Sequence, residues 1–280
     1  MIYVNPIGGL ANRLRVLFAI LKLSKKYNRK LTCIWKVNDE LGAAFDELFC
    51  LEGIEFLRNE PKYIRSTFCT SYIKEQILKI YNKIFNNVDY VYKQKDVDYI
   101  NSLSENGYNN LIKHIEPLVS INKDIYIECC NYLDDLKEIP NIKPISSINE
   151  SINSFCDANF TENTFGLHIR RTDNTWAIES SPLELFIEII QKEINKCASS
   201  KFYISTDDYE TQCFIKEKFG EHIIVRDKEY GRDNKDAMVD AVIDMWLLSK
   251  TKKIYGSFYS SFSEMAALIG GIKLEVIKLK

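Results

Sequence analysis

The sequence predicts an α/β protein made of two Rossmann-like halves, each a parallel sheet covered by helices. Three observations support this prediction. Short apolar strands alternate with amphipathic helices through the C-terminal half, a strand, a glycine loop, a helix and a second strand open the chain, and prolines and serines interrupt the pattern between them. Such alternation is typical of parallel sheets with crossover helices. We expect one domain over residues 1–143 and a second over 144–280.

The composition is that of an ordinary globular protein. The 280 residues are 46% hydrophobic and 27% charged, with a net charge of −2. This balance, without a basic run, gives no electrostatic reason to expect a nucleic-acid partner. No apolar run approaches the ~18 residues of a membrane span, and Gly8, Gly9, Arg13 and Arg15 make the N-terminus unlike a signal peptide. We expect a cytoplasmic protein with no integral membrane segment, and leave peripheral membrane contact and oligomeric state open.

Cysteines and histidines give no indication of a metal centre. The eight cysteines are scattered without a Cys-x-x-Cys pair, and the three histidines are far apart in sequence. Most cysteines lie in apolar patterns, so we expect buried, reduced thiols. No zinc site is supported, and we expect no metal.

The chain opens as a strand over 2–4, a tight loop and a helix that begins at Asn12 and has apolar residues at helical spacing. The loop sequence Gly8-Gly9-Leu10-Ala11-Asn12 is not G-x-G-x-x-G, so the dinucleotide fingerprint is absent. Two glycines by themselves only turn a chain tightly. Asn12 and Arg13 at the helix start, where backbone N–H groups can face an anion, favour a ligand.

The rest of the first half is less regular. We predict helices over 41–49 and 72–84, and strands over 31–35, 54–57 and 124–130. The remainder of 62–116 mixes aromatic residues with Asn, Lys and Asp. We interpret this segment as an insertion that shapes an acceptor site, with tyrosines that pack rather than stack on a sugar.

The second half alternates regularly between strands and helices. The predicted strands cover 165–170, 202–205, 223–226, 253–255 and 274–277. The predicted helices cover 148–155, 182–196, 209–219, 235–249 and 262–269. Pro182 begins the second of these helices, which agrees with the preference for proline in a first turn.

Polar loops follow three strands of the second half, over 170–174, 206–208 and 257–261. Because the carboxyl ends of parallel strands meet at one edge of a sheet, these loops should line one crevice. The adjacent Arg170 and Arg171 indicate an anionic ligand, since arginine makes bidentate, charge-assisted bonds to phosphate. A salt-bridged arginine pair without a ligand is the alternative.

Other polar residues of the second half have both a structural and a functional interpretation. Ser260 and Ser261 either cap the helix that follows them or accompany a phosphate at its N-terminus. Asp207 and Asp208 precede another helix and are candidate caps. Asp244 lies among apolar residues and needs a partner. That partner is either an arginine of the chain or the hydrogen-bonding edge of a base.

In order and content these segments resemble the α1,6-fucosyltransferase and protein O-fucosyltransferase superfamily, which includes the bacterial nodulation fucosyltransferases. His168-Ile169-Arg170-Arg171-Thr172-Asp173 is similar to the superfamily's H-x-R-R-x-D signature. The loop over 8–12 resembles its N-terminal glycine loop, with Ala11 where glycine is frequent. Further stretches that resemble its later motifs are 203–208, 243–249 and Ser260-Ser261. The resemblance covers most of the second half and the first 36 residues.

The resemblance implies a GT-B fold, in which two Rossmann-like domains face a cleft. It implies an inverting, metal-independent glycosyltransferase that transfers fucose from GDP-fucose, a substrate rather than a cofactor, to a glycan acceptor. Arg170 would bind the diphosphate with the support of Ser260, and His168 and Asp244 would contact guanine. The implied donor-binding residues are Asn12, Gly9, His168, Arg171, Asp207, Asp244, Ser260 and Ser261.

The resemblance also implies a catalytic carboxylate. Glu179 matches, with one extra residue in the spacing, the glutamate proposed as base in the core-fucosylating branch, which has a lysine where this chain has Asn174. Asp173 is the second candidate. If it is not the base, we expect it to hold the loop over 170–174, which we call the arginine loop. A fixed arginine stabilises the charge that develops on a leaving diphosphate, and a carboxylate accepts the proton of the acceptor hydroxyl. Another nucleotide sugar, or a catalytically silent nucleotide-sugar-binding protein, remain the alternatives; the acceptor, whether a surface polysaccharide, a lipid-linked oligosaccharide or a protein, is left open.

Overall fold

The computed structural model describes residues 1–62, 64–68, 71–103, 110–172 and 175–279. The strands are β1 (Ile2–Pro6), β2 (Leu31–Ile34), β3 (Phe49–Cys50), β4 (Glu55–Leu57), β5 (Tyr90–Tyr92), β6 (Ile125–Cys129), β7 (Lys143–Pro144), β8 (Thr164–Ile169), β9 (Lys201–Thr206), β10 (Ile223–Ile224), β11 (Ile254–Ser257) and β12 (Leu274–Ile277). The helices are α1 (Leu10–Lys26), α2 (Tyr72–Asn86), α3 (Gln94–Ser102), α4 (Asn110–Ser120), α5 (Ser146–Asn159), α6 (Thr175–Ser180), α7 (Leu183–Lys196), α8 (Tyr209–Phe219), α9 (Lys235–Ser249) and α10 (Ser261–Gly270).

The chain forms two units. The first contains Met1–Phe45 and Leu51–Asn141, and the second contains Asp46–Cys50 and Ile142–Lys280. Each unit holds one five-stranded sheet whose neighbouring strands all run parallel. The predicted α/β class with parallel sheets and crossover helices is therefore confirmed.

The first sheet has the strand order β4-β2-β1-β6-β5. Its central strand β1 pairs with β2 and β6, so that Ile2 lies opposite both Leu31 and Ile125. Helix α1 follows β1 because its apolar residues recur at helical spacing, and Leu14 and Leu17 are fully buried. Burial of each such side chain contributes about 1.5–3 kcal/mol.

The predicted helix over 41–49 is wrong. The chain there forms a bridge between Asn38 and Leu41 and a single 3₁₀ turn over Phe45–Glu47. Tertiary contacts override the local helical pattern, because the Trp35 indole N–H donates to the Ala43 carbonyl at 3.2 Å. Phe45 also packs edge-on against Trp35 and face-on against another ring of the first unit.

The segment interpreted as an insertion supplies part of the first sheet. Strand β5 pairs in parallel with β6, with Tyr90 opposite Ile125, and helices α2, α3 and α4 surround it. A strand of three residues is too short to show a period of two in the sequence. Helix α2 itself was predicted, with its end two residues later than expected.

The second sheet has the order β10-β9-β8-β11-β12. Its core is built from apolar strand residues such as Phe165, Leu167 and Phe202, covered on one side by Phe186 and Ile190 of α7. A short antiparallel pair, β3 with β7, attaches the 46–50 segment to this unit. Strand β10 ends at Ile224, two residues earlier than predicted.

Within the described residues, no helix has the length and apolar character that crossing a membrane requires.

The seven described cysteines are all free, as expected, but only Cys33 and Cys129 are buried, and Cys50 and Cys213 are exposed. The expectation of mostly buried thiols is therefore wrong.

Candidate functional site

The second sheet changes direction at its central strand. From β8 the chain proceeds outward to β9 and β10, and then returns to the other side of β8 with β11 and β12. Ligands of open α/β sheets bind outside the carboxyl ends of the strands at such a switch point. His168 and Arg170 lie at the end of β8, and Ser257 and Ser260 lie at the end of β11.

Hydrogen bonds join the two strand ends across the switch point. The Arg170 amide donates to Ser257 Oγ at 3.1 Å, and Ser257 Oγ donates to the His168 carbonyl at 3.4 Å. Ser260 Oγ lies 3.3 Å from His168 Nδ1. The predicted strand-end loops of β8 and β11 are therefore brought together, and their backbone positions are fixed before any ligand binds.

Asp207 holds the arginine loop. Its carboxylate accepts hydrogen bonds from the Arg171 amide and from Thr172 Oγ1, both at 2.7 Å, and lies 3.8 Å from Arg170 Nε. The capping function belongs to Asp208 alone, which accepts from Thr211 N at 2.8 Å at the start of α8. The loop after β9 thus meets the loop after β8 at the same edge of the sheet, as predicted.

The two arginines have different surroundings. Arg171 donates from its guanidinium to the Ser181 carbonyl at 2.9 Å, and its buried Nε has no partner among the described residues. Burial lowers the pKa of Arg171. Arg170 keeps 21% of its side chain exposed beside the crevice. Of the predicted pair, Arg170 is therefore the one suited to contact an anion.

Helix α10 begins at this crevice. Ser260 occupies its N-cap position, but its side chain makes no capping hydrogen bond and points toward His168 instead. Tyr259, just before it, has a left-handed backbone with φ of 58°. A helix N-terminus without a side-chain cap offers backbone N–H groups and a partial positive charge to an anion. The simple capping interpretation of Ser260 is therefore wrong.

His168 is a neutral, buried group. Burial, with a further contribution from the positive charge of Arg170, lowers the pKa of His168 to about 3. The ring stacks on Phe262 with centroids 4.9 Å apart. At neutral pH the imidazole is therefore uncharged and acts through hydrogen bonds and stacking.

Asp244 lies in a buried network of four donors. Its Oδ1 accepts from the Tyr203 hydroxyl at 2.6 Å and from Arg226 at 3.0 Å, and its Oδ2 accepts from Ser205 at 3.0 Å and from Lys228 at 2.6 Å. Burial raises the pKa of Asp244, but the two cations outweigh it and the pKa lies below its ordinary value. The arginine partner considered from the sequence is present, and guanine recognition by Asp244 requires one of these donors to leave.

Glu179 lies on the short helix α6, exposed to solvent. The end of this helix is fixed to the same edge of the sheet, because Ser181 Oγ donates to the Ile277 carbonyl at 2.6 Å and accepts from Phe258 N at 2.8 Å. Asp173, the other candidate base, lies outside the described residues.

Sequence reasoning missed an exposed aromatic pair near Glu179. The rings of Trp176 and Tyr259 lie 6.2 Å apart, and these residues are 68% and 69% exposed. Trp176 is on α6 with Glu179, and Tyr259 lies in the loop between Ser257 and Ser260. Exposed aromatic faces beside polar groups are a common feature of ligand sites. A tryptophan directly after the arginine loop was the available signal.

The glycine loop of the first unit is tightly bonded. Gly8 has φ of 82°, a conformation that favours glycine, and Gly9 is the N-cap of α1. Asn12 Oδ1 accepts from Arg15 at 3.1 Å. Arg13 is 1% exposed and donates from Nε to the Gly8 carbonyl at 2.7 Å. The Arg13 guanidinium therefore holds the loop from inside.

A second polar cluster, not predicted, lies at the carboxyl edge of the first sheet. Every strand contributes one member: Asn5 in β1, Lys36 after β2, Glu60 after β4, Lys93 after β5 and Glu128 in β6. Asn5 Nδ2 donates to Glu128 at 2.8 Å, Lys93 Nζ to Glu128 at 2.9 Å, and Lys36 Nζ to Glu60 at 2.7 Å. Its member Lys93 could not be placed from the sequence because β5 was not recognised.

No group of three or more His, Cys, Asp or Glu side chains that could hold a metal ion occurs within the part of the chain that the structure describes. The triplet Asp96-Val97-Asp98 has the spacing of an acidic metal motif, but both carboxylates have other partners. Asp96 accepts from Lys93 N at 2.7 Å, and Asp98 accepts from Asn131 at 3.0 Å.

Solved structures share this fold. The fucosyltransferase NodZ from Bradyrhizobium matches with a TM-score of 0.64 and 16% identity over 96% of this chain and 92% of that chain. POFUT1 in complex with GDP matches with a TM-score of 0.57 and 13% identity over 99% and 98% of the two chains. A mutant of Arabidopsis thaliana FUT1 in complex with GDP matches with a TM-score of 0.61 and 14% identity, over 98% of this chain and 70% of that one. No family model and no curated protein matches the sequence. The likeness confirms the GT-B fold class.

Proposed function

We propose that this chain is an inverting, metal-independent glycosyltransferase that transfers fucose from GDP-fucose to a glycan acceptor. The observation that carries the proposal is the anion site at the switch point of the second sheet. There the exposed part of Arg170 and the N-terminus of α10, where the Ser260 side chain makes no capping bond, lie on a framework fixed by Ser257 and Asp207. Two cationic features side by side suit a diphosphate. A NodZ fucosyltransferase of the same fold has been soaked with GDP-fucose.

The proposed reaction needs this arrangement. An acceptor hydroxyl oxygen bonds to the anomeric carbon as the bond between that carbon and the diphosphate oxygen breaks. Negative charge therefore develops on the diphosphate, and a fixed guanidinium with helix N–H groups stabilises that charge more in the transition state than in the ground state. Arg170 supplies the guanidinium, Ser257 accepts from its amide, and Asp207 accepts from the amide of the next residue, Arg171.

A carboxylate must accept the proton of the acceptor hydroxyl. We assign this function to Glu179, which is exposed on α6 beside Trp176. An exposed carboxylate can be reached by an acceptor, and the Trp176–Tyr259 pair offers an apolar face to a sugar ring. Asp173 is the second candidate base.

The remaining donor contacts follow from the proposal. His168, Ser260 and Ser261 lie at the crevice and suit the nucleotide, while Arg171 and Asp207 position the arginine loop. We assign contacts with the acceptor to the first unit. Carboxylates and lysines at the carboxyl edge of its sheet present groups that bind sugar hydroxyls. Gly9 and Asn12 of the glycine loop are assigned to the donor, and the enzyme to the cytoplasm.

Donor hydrolysis and transfer assays test the proposal. The purified chain is incubated with GDP-fucose, with and without a panel of oligosaccharide acceptors, and GDP release and free fucose are measured. Arg170→Lys keeps the charge but loses the planar fork. We expect it to lower turnover by about 10²-fold or more, as at other oxyanion sites, and to weaken GDP binding in isothermal titration.

Arg65→Lys is the matched control, because Arg65 is exposed on the first unit and stacks over Tyr81. It should leave both turnover and GDP binding unchanged. GDP binding without any GDP release would favour the catalytically silent alternative. Release from UDP-sugars but not from GDP-fucose would favour another donor.

A further inference from the structure

Helix α2 exposes a row of isoleucines. Ile73, Ile77, Ile80 and Ile84 are 72%, 60%, 61% and 72% exposed. Their spacing of four, three and four residues places them on one side of the helix, and we call this row the isoleucine stripe. Monomeric soluble proteins rarely leave contiguous apolar surface of this kind without a partner.

The opposite side of α2 is polar and faces the protein. The buried Asn82 side chain donates to the Arg65 carbonyl at 2.7 Å and accepts from the Arg65 amide at 3.0 Å. Lys79 pairs with Glu75 and donates to the Tyr90 hydroxyl at 3.2 Å. Surface helices normally bury their apolar side. Polar contacts hold α2 in place, so the stripe contributes nothing to the core and is available to a partner.

Positive charge surrounds the stripe. Lys74 and Lys83 lie on opposite edges of it, and the Arg65 guanidinium lies 4.7 Å from the centre of the Tyr81 ring on the Lys74 side. Neither Lys74 nor Arg65 forms an ion pair within the described part of the chain. Lys83 contacts two aspartates but remains 45% exposed. An apolar stripe with cations along its edges is complementary to an anionic lipid surface.

A second copy of the chain fits the stripe less well. The positions that flank it, Lys74, Gln76, Tyr81 and Lys83, include no acidic residue, so two facing helices would bring lysines together without the opposite charges that direct helix pairing. Four isoleucines also cover only about half of the roughly 800 Å² per partner that a stable interface buries.

We propose that α2 docks this protein on an anionic membrane surface. The isoleucine stripe enters the boundary between headgroups and acyl chains, and Lys74, Lys83 and Arg65 extend to the lipid phosphates with their alkyl stems along the apolar layer. The helix lies in the plane of the membrane and does not cross it. This proposal does not depend on the transfer reaction, and it stands or falls separately from it.

Vesicle co-sedimentation tests the proposal. The full chain is mixed with vesicles of equimolar phosphatidylcholine and phosphatidylglycerol, or of phosphatidylcholine alone. We expect binding to the anionic vesicles that weakens at high salt and is much weaker without phosphatidylglycerol. Ile77→Gln with Ile80→Gln should lower the partition coefficient at least about tenfold, from the loss of two buried apolar side chains.

Ile121→Gln is the matched control, because Ile121 is 63% exposed and lies after α4, outside the stripe. It should bind as the unchanged chain does. Lys74→Glu keeps the stripe and should weaken binding to anionic vesicles severalfold, which also tests the site if the double variant unfolds.

Three results overturn the proposal. The first is no sedimentation of the unchanged chain with anionic vesicles. The second is equal loss of binding in the Ile121→Gln control. The third is a concentration-dependent dimer in analytical ultracentrifugation that the double variant abolishes, since the stripe would then bind a second copy.

Discussion

At the scale of single residues, Glu179 and Arg170 are assigned different functions on the same edge of the second sheet. Glu179→Gln removes the proposed base but not the proposed diphosphate site, so GDP affinity in isothermal titration should stay within about twofold while transfer falls by about 10²–10⁴-fold. Glu188→Gln, an exposed glutamate on α7, is the control and should change neither quantity. An active Glu179→Gln enzyme would transfer the assignment to Asp173.

His168 gives a prediction about pH. Its pKa is lowered to about 3 by burial and by Arg170, whereas an unfolded histidine titrates near 6.5. Between these values the unfolded chain binds more protons, so the free energy of unfolding falls as pH decreases below about 6.5. From pH 7 to pH 5 the loss from this residue is about 2 kcal/mol.

The measurement is denaturant unfolding at both pH values. His168→Gln cannot bind that proton, so its loss of stability between pH 7 and pH 5 should be smaller by about the same amount. His114, whose pKa burial also lowers, is present in both proteins and cancels in the comparison. An identical pH dependence in the two proteins would contradict the buried, neutral state of His168.

At the scale of elements, Asp244 connects helix α9 with strand β9 and with the chain after β10. Asp244→Asn leaves Arg226 and Lys228 without their shared carboxylate in a buried site. Loss of one partner from a buried ion pair costs about 3–5 kcal/mol, so we expect the free energy of unfolding to fall by roughly that amount.

Nucleotide titration separates this structural function from guanine recognition by Asp244. If Asp244 only connects the elements, any loss of affinity in a folded Asp244→Asn protein should be shared by GDP and UDP. If Asp244 reads guanine, the variant should lose affinity for GDP selectively, since the buried group would leave a base donor unpaired. Ser205→Ala, which removes one donor to the same carboxylate, is a milder control and should destabilise by about 1 kcal/mol.

Elements with strong apolar patterns were predictable from the sequence, and short or tertiary-dependent ones were not. Strands β8, β9 and β11 follow from continuous apolar runs, and their polar ends indicated the crevice correctly because parallel strands share one edge. Strand β5 was missed because its three residues are too few to show a strand pattern. The 41–49 segment is not helical because its residues Ala43 and Phe45 contact Trp35. The partners of Asp244 are separated from it by up to 41 residues, a pairing that no local pattern contains.

At the scale of the whole molecule, the features assigned to the donor diphosphate belong to the second unit, Asp46–Cys50 with Ile142–Lys280. The first unit carries the glycine loop, the polar cluster of its own sheet and helix α2. Each unit has a parallel sheet with polar groups at its carboxyl edge. Under the proposed function, the edge of the second sheet binds the donor diphosphate and the edge of the first sheet contacts the acceptor.

GDP binding should stabilise the folded chain against heat. A ligand that binds only the folded state raises its stability by about 2.7 kcal/mol at a concentration 100 times its dissociation constant. If Arg170 and the start of α10 bind the diphosphate without a metal bridge, as proposed, GDP should raise the midpoint of thermal unfolding by several degrees. The shift should be the same in EDTA and in excess Mg²⁺, and Arg170→Lys should reduce it under both conditions. A GDP shift that disappears in EDTA would contradict metal-independent binding, and a shift that survives in Arg170→Lys would place the diphosphate elsewhere.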